Sequence, residues 1–467
     1  MSSFFIQQFG CRATQADGAA LERQLRDRGC TPASDPSLAN IVILNTCTVT
    51  AAADAQARDA IRKLHTQNPA ARLIVTGCYA QRAPEELAAL PGVSQVVGNS
   101  HKAHIPDLLL DGSSFFPSGA LTPDSAIPFH SFLNVTPVTP HSAPILTGDV
   151  FAHTELLSAP LLGGEAGHTR PTLKIQDGCN LRCTYCVIPY VRGKSRSLPP
   201  DAVIREIQSL TSPEASCQAR EIVLSGINLG TYGRDLTPRV ELRDLLGRIL
   251  DETSLERLRL SSIEPQDVTQ DLVDLFASTG RLAQHFHMPL QSGSDRILAA
   301  MHRWYRTEHY ARRVELIRER LPHAAIGADV IAGFPGETDA DHEATLAYAA
   351  RLPFTYLHVF SFSARPGTPA VALPNQVPPH IIKARARQLR ALSEAKSTAF
   401  RYSQFGRTLR VLTLRREPRD ESALVTPALA SNYLKLPVPG AHAPNLWFDV
   451  EFSESHLDAA RLSVVSQ

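Results

Sequence analysis

No stretch of the 467-residue chain approaches the roughly 18 uninterrupted apolar residues of a membrane span. The amino terminus, Met1-Ser2-Ser3-Phe4-Phe5-Ile6, lacks the basic and long apolar regions of a signal peptide. A cytoplasmic protein with no membrane partner is expected. A charge excess is missing as well: 47 Lys and Arg stand against 46 Asp and Glu, so any nucleic-acid affinity must be local. Cysteines number only eight, and in a reducing cytosol they are read as thiolate ligands or small buried hydrophobes rather than disulfides.

What is present is enough chain for more than one domain, with an ordinary globular balance. Apolar runs at Phe4 to Gln8, Ile41 to Leu44, Leu73 to Val75 and Gln95 to Val97 alternate with helical patterns such as Asp17 to Arg28 and Ala51 to Gln67. This predicts an α/β domain with a parallel sheet over residues 1–112. Residues 113–168, rich in Pro, Ser, Thr, Gly and His, read as a linker or insertion, disordered in part. Six β/α units follow in 169–397, with strands predicted at Thr172 to Ile175, Glu221 to Leu224, Arg257 to Leu260, His285 to Met288, Ile326 to Ile331 and Tyr356 to Ser361. They suggest a partial barrel whose site gathers at the carboxyl ends of its strands. Short strand-like runs in 398–467, including Ala423 to Val425 and Arg461 to Val465, fit a small antiparallel β-barrel.

The string Gly178-Cys179-Asn180-Leu181-Arg182-Cys183-Thr184-Tyr185-Cys186 follows the first barrel strand and places three thiols within eight residues. Three thiolates can bind three irons of a [4Fe-4S] cluster and leave the fourth open. Structural zinc, the alternative, normally takes four ligands, and the nearest histidine candidates, His153 and His168, lie in the irregular stretch. C-x3-C-x2-C with an aromatic residue before its last cysteine, opening a six-unit β/α domain, resembles the radical S-adenosylmethionine superfamily. That resemblance implies that Cys179, Cys183 and Cys186 are the catalytic cluster ligands and that the unique iron chelates S-adenosylmethionine. Further matches lie at later strand ends: Ser225-Gly226-Ile227-Asn228, Ser262-Ile263-Glu264-Pro265, Gln291-Ser292-Gly293-Ser294 and Gly333-Phe334-Pro335-Gly336-Glu337. Tyr185, Ser225, Gly226, Asn228, Ser262, Glu264, Gln291 and Gly333 are the cofactor-binding candidates. Taken singly, such runs after strands are usually only turns.

Cys11, Cys47 and Cys78 are far apart in sequence, but each follows a predicted strand, so a parallel sheet brings them to one edge. No glycine-rich phosphate loop accompanies them, and a second [4Fe-4S] cluster is favoured over three unrelated buried cysteines. Cys30 and Cys217 read as lone small hydrophobes. Three dispersed cysteines, then C-x3-C-x2-C, then a small β-domain resemble the methylthiotransferases. Asn45-Thr46-Cys47-Thr48-Val49-Thr50, Gly77-Cys78-Tyr79-Ala80-Gln81, Leu224-Ser225-Gly226-Ile227-Asn228-Leu229-Gly230 and Leu357-His358-Val359-Phe360 look most like the branch modifying N6-threonylcarbamoyladenosine at position 37 of tRNA. The family usually reads Gly-Cys-Lys/Arg-x-Asn-x-x-Glu at its first cysteine, where this chain has Thr14 and Asp17.

The resemblance implies two [4Fe-4S] clusters and two S-adenosylmethionine molecules, one cleaved to a 5'-deoxyadenosyl radical and one giving the methyl group. It also implies a TRAM-like final domain that binds the tRNA anticodon stem-loop, a low-potential donor such as a flavodoxin or ferredoxin, and a sulfur source. Between Lys383 and Arg419, eleven Lys or Arg face only Glu394 and Glu417, an excess able to attract phosphates or simply a solvated helix face. Competing readings are a methylthiotransferase for isopentenyladenosine tRNA or a ribosomal protein, and a non-catalytic two-cluster carrier.

Overall fold

Apolar strands whose every residue is buried, such as Ile41-Val42-Ile43-Leu44-Asn45-Thr46, need cover on both faces. The computed structural model, which describes residues 2–110, 142–153, 155–161, 169–215, 217–416 and 425–456, supplies that cover. The first sheet contains β1 (Ser3–Gln8), β2 (Thr31–Pro32), β3 (Ile41–Thr46), β4 (Arg72–Gly77), β5 (Val93–Gly98) and β6 (Ile145–Leu146). Its order is β2-β1-β3-β4-β5-β6, with every pair parallel. The helix Ala51–Gln67 begins where Thr50 accepts a hydrogen bond from the Ala53 amide, and it buries Ala57, Ala60, Ile61 and Leu64 on one stripe. β6 comes from the stretch read as linker, so part of that stretch completes the first core through Ala143 and Ile145.

The central domain comprises β7 (Thr172–Asp177), β8 (Arg196–Ser197), β9 (Glu221–Gly226), β10 (Arg257–Leu260), β11 (His285–Gln291), β12 (Ala325–Ala332) and β13 (Tyr356–Ser361). β7, β9 and β10 pair in parallel, as do β11, β12 and β13, and parallel bridges Leu258–Leu282 and Ser262–His287 join the two groups. Six parallel strands thus curve into an open barrel, in the order expected, while β8 is an antiparallel edge.

Period-2 alternation explains what the barrel encloses. Leu173, Ile175, Ile222, Leu224, Leu258, Leu260, Phe286, Met288, Ala328 and Val330 join the outer core under the helices. The alternate positions, including Lys174, Gln176, Glu221, Ser225, Arg257, Arg259, His285, His287, Asp329, Tyr356 and His358, face a polar lumen.

The last sheet contains β14 (Thr408–Thr413), β15 (Val425–Ala430), β16 (Lys435–Pro439) and β17 (Trp447–Glu451), in the antiparallel order β16-β15-β14-β17. It closes the barrel where the strands begin. Arg257 donates to the Leu429 carbonyl at 2.9 Å, Arg259 to those of Ala430 and Ser431 at 3.0 Å, and the Tyr433 ring stacks on His285 at 4.3 Å. The strand expected at Arg461 to Val465 lies outside the described residues, as do Ala423 and Leu424. The helix Pro379–Tyr402 runs along β13, where Ser393 bonds both the amide and the carbonyl of Leu357, and continues past residue 397, where the barrel was expected to end. Among the described residues, no helix is long and apolar enough to cross a membrane.

Candidate active site

Each cysteine of the dispersed set sits at a strand-to-helix turn on one edge of the first sheet. Cys11 caps the helix Arg12–Asp27, Cys47 follows β3, and Cys78 opens the helix Cys78–Arg82. The turns require glycine: Gly10 and Gly77 have φ of 104° and 106°. A Cβ on Gly10 would lie 2.4 Å from Cβ of Cys47, and one on Gly77 would lie 2.3 Å from the Thr46 carbonyl. This packing draws the three thiols together. Burial first, then the nearby Cys78 and Cys11, pushes the Cys47 thiol up to about 11.

Cys179, Cys183 and Cys186 occupy the loop after β7, at the opposite end of the lumen from the closing sheet. Burial and then Cys183 push the Cys186 thiol up to about 12. Two donors aim at this set: Arg303 reaches Sγ of Cys183 at 3.2 Å, and the Asn228 amide reaches Sγ of Cys179 at 3.8 Å. Both sets meet at one place, for Cys78 packs against Val187 and Val191, directly beyond Cys186. Neither set brings its sulfurs within the 4.8 Å that gathers ligands around a single ion; among the described residues only His287, Asp329 and His358 do so. His153 lines a cavity with Asp17, Lys102, Asp177 and Arg192, and His168 is outside the described residues. The donor sets fit multi-iron clusters better than zinc.

The other candidates fall into two groups. Ser225 and Asn228 are buried at the lumen end of β9, and Oδ1 of Asn228 has no hydrogen-bond partner. A Cβ on Gly226 would meet Oε1 of Gln176 at 2.9 Å. Ser262 lies 2.7 Å from Nδ1 of His287, Glu264 pairs with Arg303, and Gln291 is buried with φ of 65°. Tyr185 sets its ring edge-on to Phe334 at 6.5 Å. At Gly333 the amide donates to Glu337 at 2.7 Å, and a Cβ there would lie 2.3 Å from Ile382.

Several lumen residues escaped the motif reading. Gln176 donates to the Gly178 carbonyl at 2.8 Å and accepts from the Asn228 amide at 2.7 Å, tying the cysteine loop to the loop after β9. Arg303 lies outside every recognised string. Its signal is weak: in Met301-His302-Arg303-Trp304-Tyr305-Arg306 it is one of two arginines flanking aromatic residues.

The departure at Asp17 has a structural answer. Asp17 pairs with Lys102 at 2.9 Å, Arg192 at 3.1 Å and Lys174, while Asp177 holds Arg192 at 2.9 Å and Lys174 at 2.8 Å. Thr14 lies 3.6 Å from Sγ of Cys11 and accepts from Arg192 at 3.3 Å. Three cations against two carboxylates leave a positive excess beside Cys11 and Cys78. Burial would push the Asp17 carboxyl up, but Lys102, Lys174 and Arg192 outweigh it and bring it down to about 2. A depressed carboxyl stabilises the fold above its unfolded value, and that contribution fades as pH falls from about 4 through about 2. Acid unfolding of wild type should therefore show a loss on the order of 2–3 kcal/mol in this window. Asp17→Asn should lack that loss and be less stable at pH 7 by roughly 3–5 kcal/mol, because three buried cations then share one carboxylate. Equal acid profiles for the two proteins would contradict the assignment.

Known proteins resemble the chain over most of its length. Residues 3–98 match the uncharacterized protein family UPF0004, and residues 173–349 match the radical SAM superfamily. The chain is 34% identical to the threonylcarbamoyladenosine tRNA methylthiotransferase MtaB of Aquifex aeolicus, over 92% of this chain and 95% of that protein. It is also 34% identical to the tRNA-2-methylthio-N(6)-dimethylallyladenosine synthase of Syntrophobacter fumaroxidans, over 83% and 79%. Among solved structures, the radical S-adenosylmethionine methyltransferase TsrM of Kitasatospora setae shares the fold, with TM-score 0.55 and 17% identity over 79% of this chain and 77% of that one. Membership of the superfamily carries with it S-adenosylmethionine and a [4Fe-4S] cluster. The chain belongs to the radical S-adenosylmethionine methylthiotransferase family.

Proposed function

We propose that this chain adds a methylthio group to C2 of N6-threonylcarbamoyladenosine at position 37 of tRNA. The observation that carries the reading is the meeting of two three-thiol sets at the mouth of one polar lumen. Cys179, Cys183 and Cys186 would hold one [4Fe-4S] cluster, and Cys11, Cys47 and Cys78 a second. An adenine C–H bond is not acidic enough for a positioned base, so the protein's task is to bind, orient and tune. When bound, the clusters and S-adenosylmethionine supply one-electron chemistry for that bond and the sulfur to be inserted.

The chain's own residues divide the remaining work. Arg303 and Asn228 donate to sulfurs of the first set, and hydrogen bonds to thiolates tune a cluster's potential. Glu264 fixes Arg303 by an ion pair. Arg192 lies close enough to Cys78 and Cys11 to share their charge, and the Asn99 amide lies 3.5 Å from Sγ of Cys78. Ser225, the free Oδ1 of Asn228, and Gln291 remain to meet the polar groups of S-adenosylmethionine.

RNA contact rests on a smaller surface than the basic run implied. Arg385 is buried on Glu337 and Asp339, Lys396 is spent on the Ala350 and Leu352 carbonyls, and Arg410 pairs with Glu256. Lys383, Arg387 and Arg390 stay exposed, spaced along one face of the helix Pro379–Tyr402. Replacing all three with Gln should weaken binding of an anticodon stem-loop several-fold and reduce its salt slope by about 2–3, as fewer counterions are released. Unchanged affinity with an unchanged slope would remove this face from the RNA path.

Nucleosides from a strain lacking the gene test the reaction. Loss of the 2-methylthio derivative of threonylcarbamoyladenosine supports it. Loss of the isopentenyl counterpart instead would move the enzyme to the other tRNA branch.

A further inference from the structure

The lumen carries more positive charge than its own acids balance. Glu221, fully buried, takes three guanidinium groups: Arg259 at 2.8 Å, Arg170 at 2.9 Å and Arg257 at 2.5 Å. One carboxylate offsets one of those charges. The remaining donors of Arg257 and Arg259 go to neutral carbonyls of the closing sheet. Asp329 adds one negative charge, but it is engaged by His287 at 3.2 Å and His358 at 3.4 Å.

Arg12 enters this surplus without a partner. It follows Cys11 directly, is solvent-exposed, and makes no hydrogen bond or ion pair among the described residues. The groups close enough to feel its charge are Tyr433, Arg170, Arg259, Tyr356 and His285. None of them is a carboxylate. A guanidinium whose neighbours are other cations and neutral rings gains from an anion that arrives to meet it. The arginines near it, Arg170 and Arg259, both reach Glu221, as does Arg257.

Beside it stands a second group suited to the same visitor. His358 is exposed on β13, its ring 5.0 Å from Tyr356, which is also a neighbour of Arg12. Asp329 engages Nδ1 of His358, so that nitrogen carries the proton and Nε2 is left to accept a hydrogen bond.

We propose that Arg12 determines substrate specificity by binding the carboxylate of an acidic N6 substituent on the target adenosine, with Nε2 of His358 accepting from that substituent's hydroxyl. This rests on the nucleoside reading above and deepens it. A threonylcarbamoyl group offers both a carboxylate and a hydroxyl, whereas an isopentenyl group offers neither and leaves the Arg12 charge uncompensated. Position also fits, because Arg12 adjoins a cysteine of the set assigned to sulfur insertion.

The test compares two anticodon stem-loops, one with threonylcarbamoyladenosine and one with its carboxylate methyl ester, which keeps the shape and removes the charge. Binding and initial rates are measured for the full-length reconstituted protein, R12Q and R12K. Wild type should favour the acid over the ester by roughly 10- to 100-fold in Kd and KM, the range of a charge-assisted contact. R12Q should bring that ratio near one by weakening the acid alone, and R12K should restore part of it. Binding of the ester by R12Q reports that the variant is folded. The proposal is overturned if wild type shows no preference, or if R12Q keeps the wild-type ratio. Wild type that prefers the acid RNA in binding but never thiomethylates it upholds recognition and overturns the reaction. Wild type that modifies both RNAs alike does the reverse.

Discussion

Cys183→Ala is expected to abolish 5'-deoxyadenosine release and nucleoside thiomethylation together. The loop after β7 offers three thiols, and the two that remain cannot anchor a cluster that needs three. Cys183 is also the buried member of its set and the one that receives Arg303. Iron in the reconstituted protein should fall from about eight to about four per chain, as one of two four-iron clusters is lost. The fold should survive, since Arg303 keeps its ion pair with Glu264. Full deoxyadenosine release by this variant would show that cofactor cleavage occurs elsewhere.

Cys47→Ala should separate what Cys183→Ala removes together. Deoxyadenosine release should persist near the wild-type rate, thiomethylated product should vanish, and iron should again fall by about half. The contrast follows from placement: Cys47 follows β3 of the first sheet and packs on Gly10, whereas Cys179, Cys183 and Cys186 lie in the loop after β7. Trimming one sulfur atom from a buried site costs on the order of 1 kcal/mol, too little to unfold the domain. Product formation at the wild-type rate would mean that Cys11, Cys47 and Cys78 play no part in sulfur insertion.

These two sets were legible in the sequence for different reasons. Cys179, Cys183 and Cys186 announce themselves by local spacing, and Cys11, Cys47 and Cys78 by recurring after predicted strands. Barrel strands were legible because outward Leu, Ile and Val alternate with inward polar residues in a period that needs no tertiary knowledge. What escaped depends on contacts between distant segments. Asp17 reads as an ordinary helix residue until Lys174 is folded against it, and Arg303 acquires meaning only beside Cys183 and Glu264. The basic run is incomplete in sequence for the same reason: the carboxylates and carbonyls that take up Arg385, Lys396 and Arg410 come from distant segments. Short β6 carries only Ile145 and Leu146, too few residues for any period to emerge from a stretch rich in Pro, Ser and Thr.

The most direct test of two thiol sets serving one lumen is nucleoside mass spectrometry after anaerobic turnover. The reconstituted chain is incubated with a threonylcarbamoyladenosine stem-loop, S-adenosylmethionine, reductant and sulfide. One methylthio group should replace one hydrogen on the adenine ring, and with Cys47→Ala deoxyadenosine should still form while that mass gain disappears. Deoxyadenosine release by wild type without any mass gain on this RNA, or a gain on isopentenyladenosine RNA alone, would contradict the account.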